Sequence, residues 1–206
     1  MKVLLINGSP KVKGNNASAL EQMAEAFAAE GIETELIQVG SREIRGCTGC
    51  GACYKNGKCV FDDLVNEVGD KLKDADGIIV GSPVYYASPN GTLISFLDRL
   101  FYSSVNVDKR MKVGASIVCA RRGGTTAAMD VLNKYFTISQ MPVASSTYWN
   151  IIHGAKPGQA AEDAEGIRTV RNLAKNMSYM IKAFAAAKDT VELPAPEPKA
   201  FTNFIR

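Results

Sequence analysis

Lys2 to Ser18 read KVLLINGSPKVKGNNAS. An apolar run ends at Asn7, a loop of glycine, hydroxyl and amide residues follows, and an Ala/Glu/Met-rich helical pattern starts at Asn15. The run does not alternate apolar with polar residues, so it predicts a strand buried on both faces, as in a parallel sheet covered by helices on each side. A strand that passes through a short loop into a helix aims the loop amides and the helix N-terminus at one spot, where an anion is expected. Counting excludes two nucleotide loops. The dinucleotide pattern needs Gly two residues after Gly8, where Pro10 stands, and the P-loop needs Gly five residues after it, where Lys13 stands. What remains, Ser9, Asn15, Asn16 and Ser18, suits a monophosphate bound without magnesium. The competing reading is a plain turn whose Asn and Ser cap the helix.

Working outward, short β-branched runs alternate with longer helical patterns. The spacing predicts a helix over Asn15 to Glu30, a strand over Thr34 to Val39, a helix over Asp62 to Lys73 and a strand over Gly77 to Gly81. It continues with a helix over Pro89 to Tyr102, a strand over Lys112 to Ala120, a helix from Thr125 to Ile138, a last strand over Val143 to Trp149 and a long helix within Gln159 to Ala187. This alternation predicts an α/β three-layer sandwich around a five-stranded parallel sheet. One domain is expected over residues 1–188, followed by an extended tail over 189–206 that holds Pro194, Pro196 and Pro198. Ligands of such sheets bind beyond the carboxyl ends of the strands, so the loops after Asn7, Gly81, Ala120 and Trp149 are the ones to inspect.

With Lys+Arg 24 against Asp+Glu 21, the chain has no basic run that suggests a nucleic-acid or membrane partner. No apolar run approaches the roughly 20 residues of a membrane span, and no secretory pattern precedes Lys2, so a cytoplasmic protein is expected. Four of the five cysteines nevertheless crowd between Cys47 and Cys59. In a reducing compartment such a cluster suggests a metal centre or a redox role ahead of a structural disulfide.

Two further loops add detail. Ser82 to Gly91 (SPVYYASPNG) puts Tyr85 and Tyr86 and exposed amides at the sheet's carboxyl edge, a wall suited to a planar heteroaromatic ring; core packing of either tyrosine is the bland alternative. Ala120 to Thr125 (ARRGGT) offers close backbone approach at Gly123 and Gly124 and fixed charge at Arg121 and Arg122, which otherwise read as solvated arginines. Cys119 reads as a small buried residue. His153 has no Ser or Cys partner at a recognisable spacing, so a hydrolytic triad has no support.

GSPKVKGNNAS, SPVYYASPNGTLISFLDR, ARRGG and the cysteine motif together resemble the flavodoxin-like NADPH-dependent FMN reductases, and especially their iron-sulfur flavoprotein branch. The resemblance runs to about Lys182. It implies that Ser9, Lys11, Asn15, Asn16, Ala17 and Ser18 hold the FMN phosphate, that Pro83, Val84, Tyr85, Tyr86 and Asn90 wall the ribityl chain and ring, and that Arg121, Gly123 and Gly124 form the third ring-facing loop. Cys47-x2-Cys50-x2-Cys53-x5-Cys59 resembles the motif that binds a [4Fe–4S] cluster in that branch, with Val60 where the bacterial ferredoxin run has Pro. A zinc site, a disulfide formed in air and a set of idle reduced thiols are the other readings. The resemblance further implies a homodimer or homotetramer, and electron transfer through FMN from NAD(P)H to a small-molecule acceptor such as a flavin or quinone. The rival readings are an electron carrier that serves partners such as ferredoxin and a non-enzymatic binding module.

Overall fold

The computed structural model describes residues 1–198, 200 and 202. Strands β1 (Lys2–Asn7), β2 (Glu33–Gln38), β3 (Gly77–Tyr85), β5 (Val113–Ala120) and β6 (Ile151–His153) pair in parallel in the order β2-β1-β3-β5-β6. β4 (Ser88–Pro89) pairs antiparallel with the end of β3. The chain leaves β1 on one side to form β2 and returns on the other to form β3. That reversal opens a crevice at the carboxyl end of β1.

The two faces of the sheet build two cores, and strand periodicity assigns each residue to one of them. Leu4 and Ile6 of β1 and Ile78 and Val80 of β3 join the core under α3 (Leu64–Asp74), α4 (Gly91–Ser103) and α5 (Thr125–Ile138). Their neighbours Val3, Leu5 and Ile79 join the opposite core, under α1 (Asn15–Ala29) and α6 (Ala164–Ala187). Three layers result, and the fold is flavodoxin-like. A short helix, α2 (Cys53–Asn56), lies in the cysteine loop. Among the described residues no helix is long and apolar enough to cross a membrane.

The predicted last strand, Val143 to Trp149, is displaced. Only Val143 bridges to Gly114, and the ladder resumes where Val118 pairs with Ile151. Four steps along β5 thus match eight along the incoming chain, because the polar stretch Ser145 to Thr147 and the exposed Tyr148 and Trp149 bulge away from the sheet. Strand β3 also runs beyond the predicted Gly81: Ser82 and Pro83 still pair with Val118 and Cys119. The long helix expected within Gln159 to Ala187 is α6; a 3-10 turn (Gln159–Glu162) precedes Asp163, whose carboxylate caps α6 by accepting from Gly166 N–H. From Glu192 to Pro198 the chain carries neither helix nor strand. Positions 199, 201 and 203–206 of the expected tail lie outside the described residues.

Candidate functional site

The loop after β1 is held from beneath by a buried amide that sequence reasoning treated only as the end of a strand. Asn7 is fully buried, and its Oδ1 accepts from Ser9 N–H at 3.0 Å and from Asn16 Nδ2 at 2.6 Å. Its Nδ2 donates to Gln38 Oε1 at 2.6 Å, and Gln38 Nε2 donates to the Ser9 carbonyl at 2.7 Å. Ser9 Oγ accepts from Lys11 N–H at 3.1 Å, which leaves the hydroxyl hydrogen free to donate outward. Gly8 N–H donates to the Gly81 carbonyl at 2.8 Å and ties this loop to β3.

The expected phosphate residues divide into two kinds. Asn16 turns inward, 2% exposed, toward Asn7 and Gly81, with its Oδ1 unpartnered, so its side chain braces the loop. Asn15 Oδ1 accepts from Ala160 N–H at 3.1 Å and fastens the start of α1 to the chain beyond β6. Ala17 is buried, Ser18 is half-buried and Lys11 is exposed at the rim. The residue preceding α1 is Gly14, so no side chain caps the helix, and no acidic residue stands in its first turn. The first-turn amides therefore present an unsatisfied positive end to the crevice, which fits a phosphate.

The second and third loops meet each other. The chain turns back between β3 and β4 with Tyr86 and Ala87 in left-handed conformation (φ 50° and 58°), which costs about 1–2 kcal/mol per residue and holds Tyr86 fully in solvent. Tyr85 is half in solvent, and Pro83 and Val84 are half-buried. Gly124, at φ 88°, sits against this turn: a Cβ there would lie 2.9 Å from Ala87 Cα and 3.2 Å from Val84 Cγ1. Arg121 and Arg122 are exposed, as is Gly123. Asn90 is expected in the ring wall, but its Oδ1 caps α4, accepting from Thr92 N–H at 2.7 Å and Leu93 N–H at 3.3 Å. An uncapped helix end, an open aromatic turn and a close-approach glycine thus share the carboxyl edge of the sheet. This arrangement fits a planar ring carried on a phosphorylated chain.

The cysteine loop folds onto the far half of α4. Cys47, Cys50, Cys53 and Cys59 line one cavity together with Arg99, Tyr102 and Phe61. All are free thiols; Cys47 and Cys50 are exposed, Cys53 is buried and Cys59 is half-buried. Cys53 Sγ contacts the Tyr102 carbonyl at 3.9 Å. Burial pushes the Cys53 thiol up, a backbone hydrogen bond opposes this, and the charges of Cys50, Cys59 and Cys47 raise it further. The enclosed space is ≈ 20 Å³, about that of one water. Among the described residues no three Cys, His, Asp or Glu side chains stand close enough to grip one metal ion, so the sulfurs surround a space and do not converge on a point. A soft all-thiol donor set suits iron–sulfur chemistry. Left-handed Gly49 and Gly51 shape the turns that carry the exposed Cys47 and Cys50 at the open side of this space.

Cys59 is the most firmly held of the four. Asn66 of α3 accepts from Cys59 N–H at 2.9 Å and donates to its carbonyl at 3.0 Å. Arg99, 1% exposed, donates from Nε to Cys59 Sγ at 3.2 Å. Its remaining donors reach Asp63 Oδ2 at 2.7 Å, Asp63 Oδ1 at 2.9 Å, and the Arg45 and Phe61 carbonyls, each at 3.2 Å. Burial works against the charge of Arg99, but the bonds to Asp63 and Cys59 outweigh it and hold the guanidinium above its ordinary range. Neither Asn7 nor Arg99 was singled out from sequence, although each is a polar residue inside an apolar pattern and that was the available signal.

Fold and edge loops together are those of a flavodoxin-like α/β protein whose crevice suits a flavin. The chain belongs to the NADPH-dependent FMN reductase family, whose model matches residues 1–156. It is similar to an iron-sulfur flavoprotein of Methanocaldococcus jannaschii, 35% identical over 189 residues that cover 88% of this chain and 98% of that one. It is also similar to an iron-sulfur flavoprotein of Methanosarcina thermophila, 32% identical over 193 residues that cover 92% and 100%. Among solved structures, RosB with a bound flavin 5'-phosphate intermediate aligns at TM-score 0.70 and 16% identity over 100% of this chain and 94% of that one. A flavodoxin from the domain Archaea aligns at TM-score 0.59 and 17% identity over 88% and 99%. These last two show the shared fold.

Proposed function

We propose that this chain is an FMN-dependent oxidoreductase that takes hydride from NADH or NADPH and passes electrons to a small acceptor such as a flavin or quinone, with a [4Fe–4S] cluster on Cys47, Cys50, Cys53 and Cys59. The observation that carries the first half is the uncapped start of α1 facing the crevice beside the Tyr85–Tyr86 turn. The all-thiol cavity and the names of the two relatives support the second half. Bound FMN supplies hydride acceptance and electron release, and an iron–sulfur group supplies one-electron exchange.

The chain's own residues then bind and orient. The free amides of Asn15, Asn16 and Ala17, with the side chains of Ser9, Lys11 and Ser18, hold the phosphate. Pro83, Val84, Tyr85 and Tyr86 flank the ring from one loop, and Arg121, Gly123 and Gly124 from the next, while Asn90 keeps the start of α4 in place. The exposed Arg121 and Arg122 offer charge to a phosphorylated nicotinamide. No acid or base is required of the protein. The solvent-exposed Tyr86 suits a site completed by a second copy of the chain, and a reducing cytoplasm suits five free thiols.

A second reading, an electron carrier between protein partners such as ferredoxin, is favoured by the exposure of Cys47 and Cys50. The test is anaerobic purification with an absorption spectrum, iron and flavin analysis, and steady-state assays. Flavin bands with NAD(P)H oxidation by quinone or free flavin support the reductase. Negligible turnover beside fast exchange with reduced ferredoxin supports the carrier, and protein without flavin refutes both.

A further inference from the structure

Resting on the reading that the four cysteines hold an iron–sulfur cluster, we propose that Arg99 is a positioning residue for Cys59 whose Nε–H···Sγ bond and fixed charge favour the reduced form of that cluster. A buried guanidinium is costly unless every donor is paired, and here each N–H has an acceptor. A staple between α4 and the start of α3 needs only the end-on pair with Asp63. The side chain does more. Asp63 occupies the Nη1/Nη2 end, so the Nε–H edge is left to face the sulfur and Cys59 meets the cationic side of the ion pair first. The Phe61 ring lies 5.1 Å from Arg99 Cζ and 5.1 Å from Arg45 Cζ, so a second guanidinium shares the same wall.

Hydrogen bonds to ligand sulfurs and nearby charge are among the factors that set the reduction potential of an iron–sulfur centre. Adding an electron makes the centre more negative, which a fixed cation beside one ligand favours. Arg99 keeps its proton in both states, and no bond to it forms or breaks.

The test is potentiometric titration of the anaerobic holoprotein, with iron content measured alongside, for wild type, R99K and the double variant R99Q/D63N. The double variant removes both partners of the buried pair, so neither charge is stranded. At the wild-type midpoint the double variant is expected to shift its oxidised-to-reduced ratio about tenfold toward oxidised, which is 59 mV for a one-electron couple. R99K is expected to shift in the same direction by less. The flavin midpoint serves as the internal control and is expected to stay, since Asn90 and Arg99 stand about 14 Å apart along α4 at ~1.5 Å per residue. An unchanged cluster potential overturns the proposal and leaves Arg99 a staple. Where the double variant fails to fold or to retain iron, R99K decides on the same criterion. Wild-type protein without iron overturns the cluster reading itself, which is a different result from an unchanged potential.

Discussion

Replacing Asn7 by alanine is expected to loosen the phosphate loop without altering any residue that faces the crevice. Asn7 Oδ1 is the acceptor for Ser9 N–H and for Asn16 Nδ2, and both groups are buried. Asn7 Oδ1 is the one acceptor that Asn16 Nδ2 has among the described residues, so its loss strands that donor. Each stranded donor costs about 1–3 kcal/mol, and two at about 1.5 kcal/mol each give about 3 kcal/mol. For a chain of this size about 1 kcal/mol lowers Tm by about 2–4 °C, so the apo-protein is expected to melt about 6–12 °C lower. Binding must then order the loop itself. If the whole cost transfers to that step FMN affinity falls about 100-fold, and half of it gives about tenfold. Asn7→Asp separates two contributions. It keeps the acceptor, so most of the melting temperature returns, yet it lowers FMN affinity because a carboxylate now stands beneath the phosphate. The assays are thermal unfolding of the apo-protein and titration of FMN fluorescence. A Tm within about 2 °C of wild type together with an FMN Kd within about twofold would refute the argument that this network organises the loop.

Other expectations follow from single features. Gly124→Ala combines a left-handed backbone with a Cβ 2.9 Å from Ala87 Cα; it is expected to cost about 2 kcal/mol, lower Tm by about 4–8 °C and change the visible circular dichroism of bound flavin. Ser9→Ala removes the free hydroxyl hydrogen and is expected to weaken FMN binding about tenfold while iron content is unchanged, measured by flavin titration and metal analysis. Hydrogen bonds from Lys58 and then Lys73 depress Asp70 to about 2, so its contribution to stability is present above the ordinary carboxylate range and lost as pH falls toward 2. Asp70→Asn is expected to flatten the fall of Tm over that window, and an unchanged slope would show the pairs to be idle. Burial pushes the Cys119 thiol up to about 11, so iodoacetamide at pH 8 is expected to spare it in folded protein and to label Cys47 and Cys50 in the apo form, as read by peptide mass spectrometry.

The parts of this fold written in local pattern were readable from sequence. The non-alternating KVLLIN and GIIVG runs gave buried parallel strands, and the Gly8 to Asn15 stretch gave a strand-to-helix loop because glycine, proline and amides have local conformational preferences. The error at Val143 to Trp149 has a tertiary cause. Only the positions of Gly114 and Val118 on β5 determine that the incoming chain touches down twice and bulges between. The resemblance implies Asn90 and Asn16 as site residues; in the structure Asn90 Oδ1 caps α4 and Asn16 Nδ2 braces Asn7, side-chain directions that no local pattern reports. Arg99 meets Cys59 across forty positions of sequence, and no local periodicity reports such a pair.

Helix α4 carries Asn90 at its entry and Arg99 two to three turns on, so the spacing of the two candidate cofactor sites is fixed by helical pitch and their relation is one of phase. A single residue inserted between them would lengthen the path by only about 1.5 Å but swing Arg99 about 100° around the axis, away from Cys59. Four inserted residues would restore the facing at about 6 Å greater separation. Distance between the sites is thus forgiving and angle is not. The helix works as a key whose teeth must keep their rotation, whatever happens to the loops at either end.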